Sequence, residues 1–98
     1  VARRRVTILT KAVDEVAYYG YFIESVGMPT SAKRFIDDCF EAFSKLANKK
    51  VTHRPCRHAP WQILGYRCVT FRKKYVIAYL ETKSEIVICD FTLQKLLV

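Results

Sequence analysis

From Glu41 to Glu81 the sequence has no aspartate or glutamate between the two ends. An acid-free interval of this length in a 98-residue chain of net charge +8 speaks against an acidic surface there and favours an anionic partner, nucleic acid or an acidic protein segment. Glycine and proline are also scarce, three of each, and with 51% apolar residues this excludes a disordered or low-complexity chain. Gly20, Gly27 and Gly65 are scattered, so no phosphate-cradling loop exists. The longest apolar runs, such as Tyr75 to Leu80, are far shorter than the ~20 residues that span a bilayer, and no membrane association is expected. The basic lead-in Val1-Ala2-Arg3-Arg4-Arg5 is followed by no apolar stretch of the signal-peptide kind, so a cytoplasmic protein is expected. Four cysteines then read as reduced thiols, with Cys39 in a helical pattern and Cys68 and Cys89 in strand-like runs, rather than as a disulfide framework.

What is present is concentrated in the last third. Cys68-Val69-Phe71, Tyr75 to Leu80 and Ile86 to Phe91 are three strand-length apolar runs. They are rich in β-branched and aromatic residues and separated by hairpin-sized breaks at Arg72-Lys73 and Thr82 to Ser84. The middle run is apolar on both alternating faces, which places it at the centre of a sheet and covered at least partly on both sides.

Upstream, Arg3 to Thr10 suggests a short first strand. Thr10 is the expected N-cap of a helix whose inner face is Val13, Val16, Ala17, Gly20 and Ile23, widened by Tyr19, Phe22 and Val26. Gly27 ends it. A second helix from about Thr30 places Ala32, Phe35, Ile36, Cys39, Phe43 and Leu46 on one face and stops near Asn48-Lys49-Lys50. The short link makes the two an antiparallel hairpin. Val51 to Pro60, with two prolines and no periodicity, reads as a loop, and the tail after Thr92 as one helical turn or an edge extension. The expected fold is α+β in one domain, residues 1–98. It has an N-terminal strand and an antiparallel helical hairpin packed on a mostly antiparallel sheet of about four strands.

Chemistry has few places to sit. His53, Cys56 and His58 lie close together, but no second pair of ligands accompanies them, and neither a metal nor another cofactor is expected. No nucleophile elbow or cysteine–histidine signature occurs. Asp37, Asp38 and Glu41 read as a solvated helix face. Cleavage of RNA by in-line attack needs a base, an acid and cations. The catalytic candidates are Arg67, Arg72 and Tyr75 around the first hairpin, and Asp90 at the end of the third strand. Arg54, Arg57, Arg67, Arg72, Lys73 and Lys74 form the candidate binding set.

The order of these elements, with several short stretches, resembles the RelE/ParE superfamily of type II toxins over nearly the whole chain. The stretches are Leu9-Thr10 with Ala12-Val13, Tyr18 to Glu24, Ala32 to Asp37, Pro55-Cys56-Arg57, and Gly65-Tyr66-Arg67 with Lys74 to Tyr79 and Ile86 to Asp90. The resemblance implies a growth-inhibiting, plasmid-stabilising kind of toxin, neutralised by a cognate antitoxin. RelE-like members cut mRNA on the ribosome, and ParE-like members inhibit DNA gyrase. Arg67 matches a basic strand position of the first group. Val76 stands where that group carries an arginine, and Cys89-Asp90-Phe91 replaces its C-terminal basic and aromatic residues. The chain therefore reads as closer to the ParE side: a toxin acting by binding, with gyrase as target, rather than by cleavage. A ribosome-dependent mRNA endoribonuclease is the alternative, and a non-toxic basic protein- or RNA-binding module the third reading.

Overall fold

A computed structural model describes residues 3–48 and 52–97. Lys49 and Lys50 of the basic interval and Val51 of the expected loop lie outside the described residues, as do Val1, Ala2 and Val98. Strand β1 (Arg5–Ile8) leads into helices α1 (Thr10–Ser25) and α2 (Pro29–Lys45). A short helix α3 (Ala59–Ile63) then precedes strands β2 (Arg67–Phe71), β3 (Tyr75–Glu81) and β4 (Glu85–Leu93), and a 3₁₀ turn closes the chain at Gln94–Leu96. The sheet order is β1-β4-β3-β2. The last three strands form the expected antiparallel meander, and β1 joins β4 in parallel, Arg5 beside Glu85 and Ile8 beside Ile88.

The apolar pattern of β3 has its predicted meaning, since Tyr75 to Tyr79 are buried on both faces. Tyr75, Ile77 and Tyr79 turn toward the helical hairpin, where Phe35, Cys39, Phe43, Ile86, Ile88 and Phe91 complete the main core. Val76 and Ala78 turn the other way and are covered by Cys56 and Trp61. Cover on both sides was expected, but not that this segment supplies it, because residues 51–60 read as loop. Proline at the second position of α3 suits a first helical turn, where its missing N–H is no loss, and Trp61 supplies the apolar anchor.

The cysteine expectation fails at one pair: Cys56 and Cys68 form a disulfide, and only Cys39 and Cys89 are free. An isolated antiparallel bridge, Pro55 beside Arg67, carries the loop along the outer edge of β2. That brings the two Cα atoms to 4.9 Å, inside the range a disulfide needs. Strand alternation had placed Cys68 among apolar residues without revealing what lay opposite it.

The hairpin of helices also differs in register at α1. Leu9, not Thr10, is the N-cap, and no side chain caps that end. Ala12, Val16, Tyr19 and Gly20 are buried, while Val13 and Ala17 are exposed, so the inner face is rotated from the expected one. Gly20 leaves no room for a side chain: a Cβ there would sit 2.8 Å from Ile36 Cδ1. Gly27, with φ of 86°, terminates α1 as expected. In α2 the expected face is the buried one, with Phe35, Cys39 and Phe43 wholly inside. Among the described residues no helix is long and apolar enough to cross a membrane.

Candidate interaction surface

Exposed apolar residues gather on α1. Tyr18, Tyr21 and Phe22 are 65%, 71% and 59% exposed, and Val26 and Met28 continue the patch beyond the helix end. One side of it borders a groove of 620 Å³ between α1, the β2–β3 hairpin and the C-terminal turn. Tyr18, Tyr19, Phe22, Tyr75 and Leu93 give this groove an apolar lining, and Lys73, Lys74 and Lys95 stand at its rim. None of these three lysines has a carboxylate within ion-pair distance among the described residues, whereas Lys11, Lys45, Arg4, Arg5 and Arg72 do. Apolar lining with unpaired cations at the rim suits an amphipathic segment carrying acidic residues.

The tip of the β2–β3 hairpin that supplies this rim is itself unusual. Arg72 and Lys73 both adopt positive φ, 53° and 63°, a turn that ordinarily selects asparagine and glycine. Arg72 is tied down all the same. Its guanidinium donates to Asp38 of α2 and lies over the rings of Phe35 and Phe71, 5.5 and 5.6 Å from their centroids. That latch holds Lys73 and Lys74 toward the groove.

Of the four catalytic candidates the structure brings together Arg72 and Tyr75, which pack on the same rings of Phe35 and Phe71, and leaves Arg67 and Asp90 apart from them. Arg67 is paired with Tyr79 across β2 and β3, and Tyr75 stands four residues away along β3, about 13 Å at strand rise. Arg67 donates through Nη1 to the carbonyl of His53 at 2.6 Å, which fixes the loop to the strand. Tyr75 is packed, stacked on Phe91 at 5.2 Å and edge-on to Tyr19, and burial raises its phenol pKa. Asp90 belongs to the opposite face, because it pairs with Ala78. It lies within β4 rather than at its end and is 8% exposed. Its Oδ2 accepts from Lys11 Nζ at 2.9 Å and its Oδ1 from the N–H of Phe91 at 2.8 Å. The Lys11 pKa is raised chiefly by that hydrogen bond. The register shift between Ala78 and Tyr79 leaves Cys89 as the extra residue of a β-bulge beside Asp90.

The zinc-like trio is dispersed in chemistry if not in sequence. His53 Nδ1 is 3.0 Å from Tyr79 Oη, Cys56 is in the disulfide, and His58 packs edge-on to Trp61. Among the described residues no group of three histidine, cysteine or acidic side chains is placed to hold a metal. The free thiols are poor nucleophiles: burial pushes Cys39 up to about 12 and raises Cys89 as well.

The six basic candidates are spread along the outer strand rather than gathered at a point. Arg54 and Arg57 flank the disulfide and, with His58, border a cavity of 440 Å³ over the α3 side of β2 and β3. Arg54 and Arg67 both border a second cavity along the β2 edge. Arg72, Lys73 and Lys74 occupy the hairpin tip. The groove on α1 was missed by the sequence reading, which placed Phe22 and Val26 inward. Its signal was present nonetheless, as an apolar stripe on α1 too wide for one buried face.

No protein-family model matches this chain, and no curated protein sequence does. Among solved structures it is similar to a chain of the chromosomal ParDE TA (toxin–antitoxin) system from P. aeruginosa, with a TM-score of 0.77. The superposition covers 93% of this chain and 96% of that one at 16% sequence identity. The architecture, a strand and helical hairpin on a mixed four-stranded sheet, is a ParE-like fold.

Proposed function

We propose that this chain is the toxin of a bacterial type II toxin–antitoxin module, cytoplasmic, neutralised by a cognate antitoxin and acting by binding DNA gyrase. The ParE-like fold supports the toxin reading. The observation that carries the binding mode is the apolar groove with its lysine rim, which fits an acidic amphipathic segment of the antitoxin. Binding rather than cleavage is favoured because Arg67, Tyr75 and Asp90 are separated by strand length or by the sheet itself. An in-line phosphoryl cleavage needs its acid, base and cations around one phosphorus.

Expression of the chain alone should arrest growth, and co-expression of the product of the adjacent gene should restore it. The purified protein should inhibit gyrase supercoiling and leave mRNA intact on programmed ribosomes. A folded chain without effect on growth rejects the toxin reading. Replacing Tyr18 and Phe22 together by alanine, both exposed and so dispensable for folding, should weaken the antitoxin complex by about 10- to 100-fold. Unchanged affinity in a titration by calorimetry would place the antitoxin elsewhere.

The endoribonuclease alternative has one observation of its own. Arg54, Arg57 and His58 border a cavity on the sheet face opposite the helical hairpin, a basic concavity of the kind that takes a phosphate backbone. A-site cleavage lost on Arg67→Ala in a normally folded protein would select it.

A further inference from the structure

The segment from Thr52 to Tyr66 is a flap laid on the sheet, and its attachments are few. One backbone hydrogen bond joins it to β2, Cys68 N–H to Arg54 O at 3.1 Å, while Cys56 N–H to Tyr66 O at 3.0 Å ties the flap's two ends together. Arg67 reaches the carbonyl of His53, His53 Nδ1 meets Tyr79 Oη at 3.0 Å, and Trp61 packs on Val76 and Ala78. The Cys56–Cys68 bond joins residues 12 apart at the same place, so it is the covalent member of a small set of ties between the flap and β2. The flap contributes nothing to the main core between sheet and helical hairpin, whose members all lie outside it.

We propose that the Cys56–Cys68 disulfide is a reversible redox latch. Oxidised, it fixes Arg54, Arg57 and His58 as one basic rim over the β2–β3 face, a surface for an anionic partner; reduced, it releases the flap, disperses the rim and frees the outer edge of β2. The co-reactant is a dithiol of the thioredoxin class. One of its thiolates attacks Sγ of Cys68, which is half-buried, and expels Cys56, which is buried, as the leaving thiolate. The second thiol then displaces Cys68 from the mixed disulfide and leaves as the cyclic disulfide. Two electrons and two protons pass to the chain. Loss of a cross-link of this length shifts the local opening equilibrium by about a hundredfold. Because the main core does not include the flap, that shift opens the flap and not the molecule.

The inference is independent of the toxin reading and is tested without any partner. The full chain is treated under native conditions with thioredoxin, its reductase and NADPH, and separately with dithiothreitol. Three quantities are followed: the rate of tryptic cleavage after Arg57, the emission of Trp61, and the far-ultraviolet circular dichroism. Trp61 is the sole tryptophan, and the bond after Arg54 is protected by Pro55. Reduction should speed the cut after Arg57 tenfold or more and shift the Trp61 emission to the red, with the dichroism retained. Reoxidation should reverse all of it. The Cys56→Ser/Cys68→Ser double variant should be cut at the fast rate in either condition. Equal cleavage in oxidised and reduced protein overturns the latch, as does reduction that melts the whole fold or a bond that yields only in denaturant. Should the double variant misfold, the reduced wild-type chain carries the same comparison.

Discussion

At the scale of single residues, two positions show how closely the packing is set. Gly20 is buried on α1 with Ile36 against it, so an alanine methyl must displace that side chain. Gly20→Ala alone should destabilise the protein by about 1–3 kcal/mol, the usual cost of overpacking. Placed in an Ile36→Ala background, the same change should instead stabilise by about 1 kcal/mol, the helix-propensity gain of alanine over glycine. Denaturant midpoints of the four proteins give the cycle, and additive effects would mean that Ile36 is not the obstacle. Tyr79 makes the second case. Its ring is inaccessible, its hydroxyl meets His53, and burial is the chief cause of its raised pKa. Tyr75 is raised for the same first reason, and Lys11 through its hydrogen bond to Asp90. Each of these groups holds its proton more tightly folded than unfolded. Their stabilisation is therefore whole below about pH 10 and is lost as pH climbs through the folded values. Urea midpoints should fall steeply above about pH 10, and Tyr79→Phe, although about 1 kcal/mol less stable at neutral pH, should show a shallower fall.

Elements were legible in the sequence to the extent that their pattern was repeated. The three strands of the meander, the centrality of β3 and the buried face of α2 follow from alternation or helical spacing over several residues. The inner face of α1 did not, because Tyr18, Tyr21, Phe22 and Val26 are apolar or aromatic yet exposed, and spacing alone does not tell such an outer stripe from the buried one. Helix α3 is five residues long and offers no full period, and the Cys56–Cys68 pair depended on a bridge between a loop and an edge strand that no local pattern encodes. The groove was legible only in part: Lys73 and Lys74 stood among the basic residues picked out by charge, Lys95 did not, and the helix face that walls the groove was assigned to the interior. The hairpin tip carries a prediction at this scale. Lys73 at positive φ is strained relative to asparagine, which tolerates that conformation. Lys73→Asn should raise stability by about 0.5–1 kcal/mol in thermal unfolding while weakening binding in the groove it borders. A neutral or destabilising change would show that the turn is relaxed as it stands.

Over the whole molecule, charge and shape divide the labour. Among the described residues five carboxylates are spent on ion pairs: Glu81 on Arg4, Glu85 on Arg5, Asp90 on Lys11, Glu41 on Lys45 and Asp38 on Arg72. The Arg4 pair is the buried one, and its guanidinium also donates to the carbonyls of Leu46 and Asn48, so the end of α2 is pinned to the sheet. Cations without such partners remain at the hairpin tip and along the flap. The sheet thus has two covers of different kinds, a helical hairpin that is part of the core and a small flap that is fastened to it. That difference is what permits one of them to open while the other holds.

The parallel pairing of β1 with β4 puts Arg5 beside Glu85, residues 80 positions apart. A ribosome adding ~5–20 residues per second makes the two strands roughly 4–16 s apart. Throughout that interval β1 has no neighbour in the sheet, and the surface of β3 that β4 will cover lies open. The sheet can therefore close only after β4 has been made, so the fold stays unassembled while all the chain between β1 and β4 is being synthesised. Nascent chains stalled before Glu85 should be digested by protease as readily as an unstructured peptide, and protection should arrive in one step once β4 has emerged.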